Sequence, residues 1–175
     1  WSVLFMDVRI FAVDAGATTG WVCARVRVDE RVDLADAVAG RNDEVYGQIQ
    51  MPDHFEGAME LYRLVEMWNP DMLVIEDFVL RGMGSTGQVG ISSCRIGCYL
   101  AGIVAGRGMS GIGWSGGVAW YPAPAKKTGP VSDAVLREMG LWVVGQEHVR
   151  SAYRMWLLHL RHLRKVANNR RKGVR

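Results

Sequence analysis

The sequence contains few cysteines. Cys23, Cys94 and Cys98 are the only three in 175 residues. An odd number does not fit a disulfide framework, and no cysteine pair stands near histidines at the spacing of a zinc finger. These absences exclude a disulfide-rich secreted module and a small zinc domain, and they favour a reducing, cytoplasmic location.

Long apolar runs are also missing. A membrane helix needs roughly 20 predominantly apolar residues, and neither such a run nor a basic-then-apolar leader is seen. We therefore expect no membrane association and no targeting. With 49% hydrophobic and 22% charged residues, the composition fits one globular domain. We assign this domain to residues 1–165, followed by a basic tail at residues 166–175.

Acidic residues are absent from the C-terminal segment between His148 and Arg175. This segment carries 9 Lys or Arg residues, whereas the preceding part of the chain has 12 basic and 18 acidic residues. Such polarisation is typical of a protein that holds a polyanion with one end. A basic tail that only increases solubility is the alternative.

The predicted elements follow the order strand, strand, strand, helix, strand, helix, strand, helix, helix. Apolar and alternating runs indicate the strands, whereas caps and a 3.6-residue period indicate the helices. The acidic stretch from Asp29 to Asp36 is predicted to be a turn. The strands are Val8 to Val13, Trp21 to Val28, a third up to about Met51, Met72 to Ile75, and Val118 to Tyr121; the helices begin at Asp53, about Gln88, Val131 and about His148.

The last helix has three predicted faces. A core stripe is accompanied by a polar stripe and by a basic stripe, because residues three or four apart share a helix face. We also assign Trp142 and Trp156 to the core. The core stripe is Val149, Ala152, Tyr153, Trp156, Leu157, Leu160 and Leu163; the polar stripe is His148, Ser151, Met155, His159 and His162; the basic stripe is Arg150, Arg154, Arg161 and Lys165.

Two carboxylates stand at predicted strand ends. Asp14 ends the first strand and Glu76 follows the fourth, so the two would converge if these strands pair. Converging carboxylates repel each other unless they bind a hard cation such as Mg²⁺ or Mn²⁺. The alternative is that Asp14 is a turn residue and Glu76 a solvated strand end.

Three segments together resemble the acidic motifs of RuvC-like Holliday junction resolvases, particularly the bacteriophage-encoded branch. The segments are Phe11 to Trp21 (FAVDAGATTGW), Leu73 to Phe78 (LVIEDF) and Gly145 to Ala152 (GQEHVRSA). The resemblance implies an α/β, ribonuclease H-like fold with a mixed five-stranded sheet flanked by helices. It also implies a structure-selective DNA endonuclease that depends on Mg²⁺, with Mn²⁺ able to substitute. Such an enzyme acts as a homodimer on four-way junctions and other branched DNA, in the bacterial host cytoplasm if the chain is phage-encoded.

The resemblance also assigns roles to single residues. It makes Asp14 and Glu76 metal ligands, and His148 the last-helix residue that faces the metals. Ser151 completes this catalytic set, but it occupies a position where the family ordinarily carries an aspartate. Because a hydroxyl is a poor ligand for a hard cation, we expect a weakened metal site and impaired cutting. The expected DNA contacts are Lys126, Lys127, Arg150, Arg154, Arg161, Arg164 and Lys165.

Two other functions compete with this interpretation. A junction-binding protein that retains the fold but cleaves weakly is consistent with Ser151. The turn from Asp14 to Gly20 also resembles the phosphate loop of actin-like ATPases. Those enzymes need two related domains, for which 175 residues leave no room.

Overall fold

A five-stranded mixed sheet forms the centre of the computed structural model, which describes residues 6–29, 31–50, 53–77, 95–104, 117–122 and 131–173. Helices flank the sheet on both faces. The elements in chain order are β1 (Met6–Asp14), β2 (Thr18–Val28), α1 (Leu34–Ala39), β3 (Asn42–Gln50), α2 (His54–Trp68), β4 (Met72–Asp77), α3 (95–104), β5 (Gly117–Pro122), α4 (Asp133–Glu138) and α5 (Glu147–Gly173).

The strand order is β3-β2-β1-β4-β5. The first three strands form an antiparallel meander, β4 pairs in parallel with β1, and β5 pairs in parallel with β4. The parallel pairing brings the carboxyl ends of β1 and β4 to the same edge of the sheet. This edge is where the predicted carboxylates stand.

Alternate residues of the central strands supply two separate cores. In β1, Ile10 and Ala12 pack into the core that contains α5, whereas Phe11 and Val13 pack into the core that contains α2 and α3. All four are fully buried. The period of two therefore fixes which face of the sheet each β1 side chain occupies.

Helix α1 was not predicted. The stretch from Asp29 to Asp36 was expected to be a turn, but α1 begins within it, and the Asp33 side chain accepts a hydrogen bond from the Asp36 backbone N–H at 2.9 Å. Ala37 and Val38 are buried against the sheet. The signal was an N-cap aspartate followed by apolar residues, although six residues are too few to show a clear period.

Helix α2 begins as its capping residue predicts. The Asp53 carboxylate accepts hydrogen bonds from the backbone N–H groups of Phe55 and Glu56, at 2.8 and 3.1 Å. These bonds stabilise the ionised carboxylate and lower its pKa. The helix ends at Asn69 in a left-handed conformation, with φ of 42°.

Helix α5 confirms the predicted core stripe, except that Leu163 is only half-buried. The prediction of a neighbouring polar stripe is wrong for its middle residues, because Met155 and His159 are only 0% and 3% exposed. The helix continues without a break to Gly173, so the segment predicted to be a tail begins as helix. Within the described residues, no helix combines the length and apolarity that a membrane span requires.

Candidate active site at the carboxyl ends of the central strands

Asp14 is the last residue of β1, and its side chain is 13% exposed. Side chains alternate along a strand, so Asp14 points to the same face as Ile10 and Ala12, which is the face covered by α5. The turn that follows is fixed by Thr19, whose hydroxyl donates to the Gly16 carbonyl at 2.8 Å and accepts from the Gly16 N–H at 3.1 Å. A buried, braced turn thus ends β1 at this carboxylate.

Glu76 occupies the matching position on β4. Val13 pairs with Ile75 in the parallel register, so Asp14 and Glu76 are each one residue beyond that pair. Glu76 is two residues after Val74 and points to the same face of the sheet, and Val74 belongs to the core on the α5 side. The half-buried Glu76 and the buried Asp14 therefore lie on neighbouring strands, at the same end and on the same face.

His148 reaches Asp14 from the first turn of α5. Its Nδ1 lies 2.9 Å from Asp14 Oδ2, and its side chain is 41% exposed. Two of the residues predicted from the sequence, 134 positions apart, are thus in direct contact. The exposure of the imidazole leaves this contact open to solvent and to a substrate.

Gly20 makes this contact possible. It is the β2 register partner of Asp14, and a Cβ at this position would lie 2.1 Å from the His148 carbonyl carbon and 2.4 Å from the Val149 nitrogen. The α5 backbone therefore lies directly on β2. Gly20 comes before the second strand that the sequence predicts, so its place inside β2, where a glycine allows another backbone to approach, is apparent only from the structure.

The donor set is of the kind that a divalent cation accepts. Carboxylate oxygens suit Mg²⁺ and Mn²⁺, and an imidazole suits Mn²⁺ better than Mg²⁺. Among the described residues, no three His, Cys, Asp or Glu side chains are grouped closely enough to hold a metal by themselves. Mg²⁺ does not require such a cage, because it commonly binds one or two carboxylates together with substrate phosphates. Asp14 and His148 are in contact, and Glu76 stands at the same end and on the same face of the neighbouring strand, so their donor atoms suit a divalent cation that takes its remaining ligands from elsewhere.

Ser151 lies one turn after His148 and is half-buried. Its Oγ lies 3.5 Å from Arg154 Nη1, and the Arg154 guanidinium is ion-paired with the Asp133 carboxylate of α4. Arg154 is 1% exposed. This corrects its expected role, because a buried and ion-paired guanidinium does not face a DNA backbone.

The other basic residues differ in exposure. Three of them are half-buried: Arg150, Arg161 and Arg164. The Arg164 guanidinium donates a hydrogen bond to the Val32 carbonyl. Partial burial lowers the pKa of Arg161. Lys165 is exposed. Lys126 and Lys127 lie outside the described residues.

The comparisons with known proteins show the fold. No protein-family model matches the chain, and no curated protein matches it in sequence. RuvC of Thermus thermophilus, solved with a Holliday junction substrate, matches it with a TM-score of 0.56 at 11% identity, over 90% of this chain and 96% of RuvC. A second structure of Thermus thermophilus RuvC matches with a TM-score of 0.55 at 12% identity, over 91% and 97% of the two chains. The chain thus has the RuvC-like, ribonuclease H-like fold, which confirms the predicted fold class.

Proposed function

We propose that the protein is a divalent-metal-dependent, structure-selective DNA endonuclease that nicks Holliday junctions and other branched DNA. The observation that carries the proposal is the contact between Asp14 and His148 at the carboxyl ends of β1 and β4. It occurs in a fold that this chain shares with a RuvC solved on a Holliday junction. The bacteriophage origin belongs to the same proposal and rests on the motifs alone.

Asp14, Glu76 and His148 would hold the metal. When bound, a metal ion of this kind neutralises the charge that develops on the phosphodiester during hydrolysis. The protein contributes the positions: β1 and β4 fix the two carboxylates, and the hydrogen bond that Asp14 accepts from Nδ1 of His148 fixes the imidazole ring. The His148 side chain is 41% exposed, against 13% for that of Asp14, and is therefore open to a DNA strand.

Ser151 sets the expected strength of this activity. The site has two carboxylates and one imidazole, whereas a third carboxylate would bind a hard cation more tightly. Loss of a charged ligand weakens Mg²⁺ binding more than Mn²⁺ binding, because Mn²⁺ accepts imidazole more readily. We expect slow cutting with Mg²⁺ and faster cutting with Mn²⁺.

The DNA interface is assigned to the exposed and half-buried cations of α5, together with Lys126 and Lys127. Contacts of this kind bind phosphates and give an affinity that falls steeply with salt. Two symmetric nicks across a four-way junction require two active sites, and one chain supplies one. The protein is therefore expected to act as a homodimer, which sedimentation with and without junction DNA tests; a monomer under both conditions would contradict it.

The direct test is cleavage of a labelled four-way junction, with linear duplex of the same sequence as the control. Mn²⁺ should support paired nicks in the junction, EDTA should stop them, and the duplex should remain intact. DNA ligase should reseal the nicks, because hydrolysis of this type leaves a 5′-phosphate. Equal cutting of duplex and junction would contradict structure selectivity, and cutting in EDTA would contradict metal dependence.

The second candidate is a junction-binding protein without cleavage, which Ser151 favours. The variant Ser151→Asp separates the two, with Ser151→Asn as a neutral control of the same shape. A weak enzyme should gain Mg²⁺-dependent cutting with the aspartate and not with the asparagine. If neither the natural chain nor Ser151→Asp cuts with either metal, while both bind the junction, the second function is correct.

A further inference from the structure

Trp142, in the loop between α4 and α5, carries two guanidinium groups over its ring system. The Arg137 Cζ lies 3.8 Å from the ring centroid and the Arg150 Cζ 4.4 Å. Arg150 also donates from Nη1 to the Val143 carbonyl at 2.7 Å. We call these three side chains the Arg–Trp–Arg stack. Trp142, which the sequence assigns to the core, packs against the core on the α5 side and is half-buried.

The two cations of the stack are not neutralised within the described part of the chain. Neither Arg137 nor Arg150 has a carboxylate within 4.0 Å there, in contrast to Arg9, Arg41 and Arg63. Bringing two like charges to one ring is unfavourable unless an anion lies nearby. The stack therefore has the charge of an anion-binding site.

The geometry of the stack also suits an anion. A guanidinium that lies over an aromatic ring keeps the N–H groups at its edge available, and a phosphate accepts these groups in a bidentate manner. Arg137 is exposed and is the residue most accessible to a ligand. The N-terminal end of the 27-residue helix α5 adds a favourable dipole at this point.

The stack lies close to the candidate active site. Arg150 follows His148 by two residues, so the two side chains point about 200° apart around the first turn of α5. A helix with its side chains is about 10–12 Å across, and charges along one DNA strand are spaced about 3.4 Å apart along the axis. A strand that crosses this turn would thus reach both places within about three or four nucleotides.

We propose that the Arg–Trp–Arg stack is a phosphodiester clamp, which holds the backbone of a DNA arm on the flank of α5 opposite the Asp14–His148 contact. The position of the clamped strand relative to a cut rests on the proposed function. Binding of a DNA backbone by the stack does not, because it requires neither metal nor cleavage. Trp142 orders the two cations before DNA arrives.

The test is the salt dependence of junction binding in EDTA, measured by fluorescence anisotropy from roughly 50 to 200 mM salt. Arg137→Gln should reduce the slope of log affinity against log salt by about 1, the loss of one phosphate contact. The matched control is Arg63→Gln on α2, whose guanidinium is already paired with Glu60 at 2.8 Å. The control should retain the slope of the unmodified protein.

Two further variants separate binding from structure. Arg150→Lys keeps the positive charge and should keep most of the slope. Trp142→Leu retains both cations but no longer holds them in place, so it should weaken binding with little change in slope. A purely structural stack would instead lower the melting temperature in Trp142→Leu and leave the slope of Arg137→Gln equal to that of Arg63→Gln. That result would overturn the clamp.

The outcome also separates this clamp from the proposed function. A changed slope in Arg137→Gln without any cleavage by the natural chain would support the clamp and contradict the enzyme. Cleavage by the natural chain with an unchanged slope in Arg137→Gln would support the enzyme and overturn the clamp.

Discussion

The two ends of the parallel β1–β4 pair differ in how their charges are compensated. At the amino end, Arg9 donates from its backbone N–H to Asp71 at 2.7 Å, and its guanidinium bonds both the Trp68 carbonyl and Asp43. Asp43 also lies 3.5 Å from Arg25, the cross-strand partner of Arg9. The two aspartates and the two arginines of this end thus form a balanced network.

At the carboxyl end, the buried Asp14 has a different partner. Its contact in the described residues is the His148 imidazole, and no Arg or Lys there lies within ion-pair distance. A buried carboxylate is costly when its charge is not fully compensated. An imidazole compensates it only in part unless protonated, and it leaves the carboxylate able to accept a metal ion.

We infer from this difference that the amino end contributes to stability, and we propose that the carboxyl end carries the chemistry. Strained or incompletely compensated groups reduce stability, and they persist where activity requires them. The comparison therefore predicts opposite effects of removing one negative charge at each end.

Asp14→Asn should have the largest effect on cutting. Loss of a carboxylate ligand should reduce junction cleavage by at least about 100-fold, because the amide cannot replace the charge that a metal requires. The melting temperature should not fall, since an asparagine still accepts the hydrogen bond from His148. A gel-based cleavage assay and thermal unfolding measure the two effects. Retained cleavage, or a marked loss of stability, would indicate that the carboxyl end of the β1–β4 pair has a structural role only.

Gly20→Ala should come next. The added Cβ would meet the α5 backbone at 2.1–2.4 Å, so we expect a loss of about 3 kcal/mol in unfolding free energy or a displaced first turn. Cutting should fall in either case, because His148 moves away from Asp14. The control is Gly102→Ala in α3, where a Cβ meets nothing within 4 Å and helix propensity predicts a slight gain in stability. If both variants melt and cut alike, the close approach of α5 is not needed.

Asp43→Asn tests the amino end. The substitution removes the charge shared by Arg9 and Arg25 and should cost about 1 kcal/mol, as expected for a partly exposed network. Asparagine tolerates the positive φ of 50° at this position, so the backbone should not change. Cleavage should be unaffected at a temperature where the protein is folded. A cleavage defect in this variant would mean that the two ends are not separate in function.

His159, which lies at neither end, should make the stability depend on pH. Burial, together with the neighbouring His162, lowers the pKa of His159 to about 4, against an ordinary value near 6.5. Between about pH 4 and 6.5 the unfolded chain therefore binds a proton at His159 that the folded chain does not bind. The contribution of neutral His159 to the free energy of unfolding is complete above pH 6.5 and is lost as the pH falls towards 4. Chemical denaturation of His159→Leu at several pH values should show a flatter profile over this range. An unchanged profile would assign the pH dependence to other groups.

Local sequence pattern predicted the strands, α2 and the core stripe of α5, because burial on one face imposes a period that single residues do not obscure. It failed for Arg154, since the angle around a helix does not reveal that α4 and Asp133 cover that flank. It also missed the role of Gly20, because the approach of α5 to β2 is a long-range contact. The contact between Asp14 and His148 followed from a resemblance of motifs, and no local period would have indicated it.

We propose that Asp14, Glu76 and His148 form one metal site at the carboxyl end of the sheet. Mn²⁺ titration followed by electron paramagnetic resonance tests it without DNA and without turnover. We expect Mn²⁺ binding by the natural chain and by Asp43→Asn, and strongly weakened binding by Asp14→Asn and by Glu76→Gln. Equal Mn²⁺ binding by all four proteins, or weaker binding in Asp43→Asn alone, would contradict it.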